Sequence, residues 1–152
     1  MFAEDFIQLV QQNNLGTYGT NLFQGPKAVI PGGAGPFTSF VETGGSAPEL
    51  IHNNYSQPAW IKPSMQVMVR AESFDLAVAR AWAIWSVVFP IRNAIVNGHK
   101  WRDTHMRQTP FPMGLDETGK RVRIAFNFDA TIEPGIEWFD TGWVDTGNNS
   151  WI

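Results

Sequence analysis

The sequence predicts an α+β domain with a single, mostly antiparallel sheet, two helices packed on one face of it, and a C-terminal extended arm. Three observations carry this prediction. Residues 64–72 and residues 121–133 both alternate apolar and polar side chains, which is typical of half-buried strands. A run of apolar residues at helical spacing follows residue 72 and ends at Pro90. A chain that mixes helices and strands in this order favours a single sheet with its helices packed on one face.

The N-terminal part of the chain predicts one helix and two short strands. Phe2, Phe6, Leu9 and Val10 recur at three- and four-residue spacing, so we expect a helix over residues 2–13. Short strands are predicted over 20–23 and 37–43, with a loop rich in Gly and Pro between them. Residues 44–63 have no clear period and predict a second irregular connection.

The middle of the chain predicts the central helix and two further strands. Ser73 is a favourable N-cap, and the strand over 64–72 leads directly into it. A strand is predicted over 101–109, stopped by the prolines at 110 and 112, and another over 121–133. The apolar face by which the central helix packs on the sheet is expected to contain Phe74, Ala77, Val78, Ala81, Trp82 and Trp85.

Charge divides the chain into a domain over 1–133 and an arm over 134–152. Residues 1–133 contain eleven acidic residues and all eleven Lys and Arg, so the net charge of −3 comes from the arm. Its acids are Glu137, Asp140 and Asp145. This distribution lacks the basic surface of a nucleic-acid-binding protein. DNA that met such a protein would pass without being bound specifically.

Composition indicates a protein that buries surface against partners. Charged residues make up 16% of the chain, below the roughly 25% of ordinary domains, and aromatics reach 13% with seven tryptophans. Interfaces are depleted in charge and enriched in aromatic residues. Cysteine is absent, which excludes disulfides and thiolate zinc sites. The longest apolar stretch, residues 81–91, is too short to cross a bilayer, so no membrane partner is expected.

The residues that could carry catalysis do not form a recognisable site. Asp140 and Asp145 each begin the Asp-Thr-Gly triplet of aspartic proteases, but they lie five residues apart and cannot converge across a cleft. His52, His99 and His105 lack metal-ligand spacing. We therefore expect no enzyme activity, no metal and no cofactor.

Six residues are candidate partner contacts. Arg121 and Arg123 lie at alternate positions of the predicted strand over 121–133, where a solvated or interface face is expected. The arm lacks a helical or strand period, and its composition suits docking on its own subunit or a neighbour. The aromatic candidates of the arm are Trp138, Phe139, Trp143 and Trp151.

The order and spacing of these elements resemble the minor capsid or tail terminator family of long-tailed bacteriophages. The resemblance covers residues 2–132. It lies in the N-terminal helix and the closing strand over 121–132, and in the segments LGT at 15–17, GTNLF at 19–23, GP at 25–26, FVETGG at 40–45, QVMVRA at 66–71 and SFD at 73–75. The arm after residue 133 has no counterpart in the family's core.

The resemblance implies a structural protein of the virion neck, at the head-proximal end of the tail. Subunits assembled in the host cytoplasm would form a homohexameric ring on the last ring of the tail tube protein. That ring would stop tube growth and offer a joining surface to a head-tail connector or stopper protein. Genomic DNA would pass through the lumen without specific binding.

Three other interpretations remain open from the sequence. The chain is also consistent with another neck protein, such as a connector, stopper or adaptor. A monomeric binding module that uses Trp138, Trp143 and Trp151 as an aromatic platform is a candidate from a different class. An enzyme is the third, supported only by the two Asp-Thr-Gly triplets.

Overall fold

A computed structural model of the chain describes residues 2–25, 29–51 and 54–133, with the backbone alone for 49–51 and 54–59. The predicted C-terminal arm, residues 134–152, lies outside the described residues. The elements, in chain order, are α1 Phe2–Gln12, β1 Leu22–Gln24, β2 Phe37–Ile51, β3 Asn54–Ala71, α2 Phe74–Val88, β4 Arg92–Val96, β5 His99–Met106, β6 Phe111–Leu115 and β7 Val122–Ile132.

The strands of the described residues form one seven-stranded sheet in the order β1-β2-β3-β7-β5-β4, with β6 also paired to β7. Every pair is antiparallel except β1 and β2, which run parallel. Strands β6 and β5 follow one another along the same edge of β7. The predicted α+β class with a mostly antiparallel sheet is confirmed.

The inner face of the sheet forms the core beneath both helices. Met65, Val67 and Val69 of β3 are fully buried there, as are Phe126 and Phe128 of β7. The alternation seen in the sequence therefore marks the two central strands correctly. Because β3 and β7 pair directly, their inward side chains form one continuous apolar surface.

Helix α1 closes one end of this core. The ring of Phe6 lies 4.8 Å from that of Trp101 and 4.9 Å from that of Phe128, measured between centroids. Each such aromatic contact adds about 0.5–1.5 kcal/mol beyond simple burial. The sheet curls around the helix, so that α1 contacts β1 and β2 on one side and β4 on the other.

Helix α2 packs on the sheet through small and branched residues. The Ser73 side chain accepts a hydrogen bond from the Leu76 amide over 3.3 Å, which confirms the predicted N-cap. The expectation that Phe74 and Trp82 belong to the core face is wrong, since they are 51% and 42% exposed. The sheet instead meets a narrower stripe of small side chains, which lets the helix approach closely: Ala77, Ala81, Ile84 and Val88.

The predicted irregular connection over 44–63 is instead the outer part of a long β2–β3 hairpin. Pairing continues from Gly45 opposite Pro63 to Ile51 opposite Asn54, through several register shifts. The glycines and prolines that suggested a loop are accommodated as bulges and at unpaired strand edges. From Trp60 outward, β3 pairs with β2 and with no other strand that the structure describes. Within the described residues, the end of the hairpin is therefore a two-stranded ribbon.

Three further expectations about strands need correction. Strand β4 was not predicted, because its five residues show no clean alternation. Strand β5 begins two residues before the predicted 101 and ends at Met106. The prolines at 110 and 112 do not end strand structure, since Phe111 begins β6. Pro112 is tolerated there because β7 is the one described strand with which β6 pairs, so the other edge of β6 needs no donor from residue 112.

Candidate assembly surface

The candidate partner-contact residues fall into two groups. Trp138, Phe139, Trp143 and Trp151 lie outside the described residues, and so do Asp140 and Asp145 of the Asp-Thr-Gly triplets. Arg121 and Arg123 lie within the described residues. Arg121 is buried, whereas Arg123 lies within β7 on the outer face of the sheet.

Arg121 is not on a solvated outer face, and that expectation is wrong. It immediately precedes β7, is only 3% exposed, and its Nε donates to Asp116 Oδ2 over 2.7 Å. Its Nη1 donates to the Pro31 carbonyl over 2.6 Å, and its guanidinium lies 5.5 Å from the centre of the Phe37 ring. These contacts hold the segment before β2 against the turn between β6 and β7.

Asp116 is the buried partner of this arginine. Burial raises the pKa of its carboxyl, but hydrogen bonds from Thr118 and Arg121 outweigh that effect and lower the pKa to about 2. The Thr118 hydroxyl donates over 2.6 Å. The carboxylate therefore stays charged at neutral pH, and the pair is a structural clamp rather than a site open to solvent.

Arg123 lies on the outer face of the sheet, away from the helices, and directly opposite Arg70 of β3. Residues directly opposite in an antiparallel pair share one face, but the two guanidinium groups turn to different strands, Arg70 toward β2 and Arg123 toward β6. Arg70 donates to Ser39 Oγ over 3.3 Å, and Arg123 donates to the Met113 carbonyl over 2.8 Å. The sequence did not reveal this pair, because strand register cannot be read from the two segments separately.

A cavity of about 220 Å³ adjoins Arg70 on the same outer face. Arg70, Ser39 and Gln66 supply polar groups to its wall. Met68 and Val41 supply apolar surface, and residues 25 and 30 complete the lining. The cavity therefore combines a cationic end with an apolar wall.

A second buried carboxylate, Asp5, joins α1 to the β4–β5 hairpin. Trp101 Nε1 donates to its Oδ2 over 2.8 Å, Asn97 Nδ2 donates to its Oδ1 over 3.1 Å, and His99 Nδ1 lies 2.8 Å from Oδ2. Asp5 lies in the first turn of α1, where the helix dipole favours an acid. Its burial was missed because its partners lie more than ninety residues away along the chain.

A third polar cluster contains Ser64, Arg107 and Asp129. The Ser64 hydroxyl and the Arg107 guanidinium both donate to the Asp129 carboxylate, Arg107 over 2.7 Å and 3.1 Å. The hydrogen bonds from Arg107 hold the pKa of Asp129 below its usual range, against the opposing effect of partial burial. Ser64 is itself buried and therefore cannot meet a substrate.

Exposed aromatic rings follow one side of α2. Trp85 and Phe89 stack with their centroids 4.8 Å apart, and Trp82 lies 5.5 Å from Trp85. Phe89 is 47% exposed, and Trp85 Nε1 donates to the Gln108 carbonyl over 3.2 Å. Large exposed aromatic groups of this kind are typical of surfaces that contact other proteins.

Neither a metal-binding cluster nor a membrane-spanning helix is present in the part of the chain that the structure describes. Within residues 2–25, 29–51 and 54–133, no three His, Asp or Glu side chains lie close enough to hold a metal ion. Neither described helix has the length and apolar character required to cross a bilayer.

Comparison with solved structures identifies the fold. A chain from a structure described as the virion of a native gene transfer agent (GTA) particle superposes with a TM-score of 0.54 at 19% identity, over 83% of this chain and 84% of that chain. The two chains share a fold. A second solved chain, 18% identical over 87% of this chain and 98% of its own, has a TM-score of 0.45, which does not establish a common fold.

Comparisons at the level of sequence add no relative. No protein-family model matches the chain. No curated protein matches it either.

Proposed function

We propose that the chain is a non-enzymatic structural protein of a phage-like virion. The observation that supports this role is the fold shared with a chain of the gene transfer agent virion, over most of both chains. The polar side chains of the described residues do not form a catalytic arrangement that would favour an enzyme. Their buried polar groups hold elements together, as Asp116 does for the turn before β7, and the buried Ser64 faces an arginine rather than a histidine base.

Within the virion, we propose the position of tail terminator at the neck. Subunits would form a homohexameric ring on the tail tube protein, meet a head-tail connector or stopper protein, and surround DNA that passes without specific binding. A closed ring needs two unlike surfaces on each subunit. The sheet has two unlike edges, the three-residue β1 and the longer β4, where Ile95 is 69% exposed.

The β2–β3 ribbon supports assembly with other chains. An isolated two-stranded hairpin is marginally stable in water. Among the described residues, the seven at 54–60 of β3 pair only with the three at 49–51 of β2. At its base, the Arg102 guanidinium lies 5.1 Å from the centre of the Trp60 ring. A ribbon that is anchored at its base and pairs with no further described strand is well placed to contact a neighbouring subunit.

Capping of tail tubes tests the proposed position. Purified chain is added to tail tubes of the same phage-like particle, and the ends are examined by negative-stain electron microscopy. A terminator adds one ring to a single end of each tube and prevents further growth when free tube protein is supplied. Tubes that continue to grow at both ends would exclude this role. A twelve-fold ring of the free protein would favour a connector.

A further inference from the structure

Helix α2 has two apolar stripes with the same spacing, one residue apart. The stripe that packs on the sheet contains Ala77, Ala81, Ile84 and Val88. The second, the aromatic stripe, repeats this spacing one position later and contains Val78, Trp82, Trp85 and Phe89. The helix carries only two charged side chains, Asp75 and Arg80. A helix that is apolar over so much of its circumference is typically covered on more than one side.

The aromatic stripe is held in place but remains exposed. Trp85 donates to the Gln108 carbonyl over 3.2 Å and stacks on Phe89. Trp82 and Phe89 are nevertheless 42% and 47% exposed. From Val78 to Phe89 the stripe is about 16 Å long. Large aromatic side chains that are already fixed lose little freedom on binding, so the stripe is suited to a protein interface.

Two acids border the start of the aromatic stripe. Glu72 and Asp75 are exposed, and neither forms an ion pair with any side chain that the structure describes. Asp75 precedes Trp82 by seven residues, so the two lie on the same side of the helix, two turns apart. A partner that covers the stripe should therefore offer an apolar group flanked by cations.

The outer face of the β4–β5 hairpin has this composition. Ile95 is 69% exposed and lies directly opposite Lys100, so the two share one face. Arg102 is exposed two residues farther along β5, where its guanidinium lies 5.1 Å from the centre of the Trp60 ring. Among the described side chains, Arg102 forms no ion pair. The hairpin therefore presents an exposed aliphatic residue beside two cations.

These two surfaces lie at opposite ends of one subunit. The acids follow the residue of β3 that pairs with Val122, at the start of β7. The cations flank Trp101, which pairs with Ile132 at the end of β7. About 33 Å of strand separates these two pairings. The acids and the cations of one subunit therefore cannot pair with each other, whereas those of two copies can.

We propose that the aromatic stripe of α2 in one copy packs against the outer face of the β4–β5 hairpin in a second copy. Ile95 lies against the stripe, and the two cations of the hairpin face Glu72 and Asp75. A contact between two unlike surfaces repeats from copy to copy and closes into a ring where the rotation fits. This inference rests on the proposed assembly of several copies and names the surfaces that join them.

Charge reversal tests the pairing of the two surfaces. One variant of the full chain carries Glu72→Lys and Asp75→Lys, and the other carries Lys100→Glu and Arg102→Glu. Each alone brings like charges together and should raise the concentration required for half-assembly at least about tenfold in light scattering. An equal mixture should assemble like wild type, because opposite charges meet when the two variants alternate around a ring of even number. Rescue on mixing also shows that both variants are folded.

A second pair of variants tests the apolar part of the contact. Trp82→Ala should weaken assembly about tenfold, as expected for a central aromatic contact. Leu76→Ala removes an exposed apolar side chain from another side of the same helix and should leave assembly unchanged. If the free chain assembles only on tail tubes, capped ends counted in negative-stain images replace the light-scattering measurement for all variants.

The outcomes separate this contact from the proposed function. Assembly that is unaffected by Trp82→Ala, or charge variants that do not rescue one another, would overturn the contact and leave the tail terminator role standing. A symmetric dimer that is lost with Trp82→Ala would mean that two α2 helices pair, which also overturns it. A wild-type chain that neither assembles nor caps tubes would reject both the contact and the ring.

Discussion

Asp116 and Arg121 form a buried ion pair across the turn that precedes β7, with 2.7 Å between Oδ2 and Nε. Both side chains are almost fully removed from solvent. The pair is linked further to the Pro31 carbonyl, so one turn positions both the start of β7 and the segment that leads into β2. Removing one member leaves the other as an uncompensated buried charge, which costs about 3–5 kcal/mol.

Asp116→Asn should lower the free energy of unfolding by about 3–5 kcal/mol at pH 7. The pKa of Asp116 is about 2 in the folded chain, below its ordinary value of 3.8. Its contribution to stability is therefore fully present above pH 3.8 and is lost as pH falls through about 2. Urea denaturation at pH 7, 4 and 2.5 measures the free energy of unfolding of wild type and variant. The difference between the two should become smaller at low pH. A difference that is constant with pH would contradict this account.

Asp5→Asn should destabilise the chain by about 1–3 kcal/mol. The substitution replaces one acceptor oxygen with an NH2 group, which cannot accept from Trp101, Asn97 or His99. Glu4→Gln is the matched control on the exposed side of the same helical turn and should change stability by less than about 0.5 kcal/mol. Chemical denaturation measures both. Equal effects of the two variants would show that the buried carboxylate is not required.

Gly45→Ala should be more damaging than Gly44→Ala. Both glycines have positive φ, 153° and 99°, so a side chain strains the backbone at either position, by about 1 kcal/mol. A Cβ at Gly45 would also lie 2.1 Å from the Lys62 carbonyl oxygen, whereas one at Gly44 meets open space. The difference in unfolding free energy between the two variants measures the cost of adding a side chain where β2 approaches β3 closely. Equal stabilities would indicate that the bulge relaxes without cost.

Deletion of residues 134–152 should leave the domain folded but impair joining. The buried core of the described residues ends at Ile132, so the melting temperature should change little. The deleted chain should lose attachment to tails or neck partners, measured by negative-stain counts of joined particles. Joining that is unchanged after the deletion would contradict a role for the arm.

The sequence predicts the central part of this fold well and its periphery less well. Strands β3 and β7 and the start of α2 follow from alternation and an N-cap, because a half-buried surface imposes its period on the side chains. The outer β2–β3 ribbon could not be predicted, since a two-stranded ribbon has free edges that tolerate Gly and Pro. Strand β4 is too short to show a period.

The candidate surface was less predictable than the fold because it depends on register. Arg121 and Arg123 occupy alternate positions and were expected together on one outer face, but Arg121 precedes the first strand residue and turns toward Asp116. Arg70 lies opposite Arg123 only because of the register between β3 and β7. Such pairings are fixed by long-range strand alignment, which neither segment encodes alone.

The mass of the purified chain in solution, measured by multi-angle light scattering with negative-stain images of the same fraction, tests the central proposal most directly. The account predicts a closed ring near six copies, roughly 100 kDa from subunits of 17.0 kDa, alone or once tail tubes are added. A chain that stays monomeric at high concentration and leaves added tubes uncapped would contradict it.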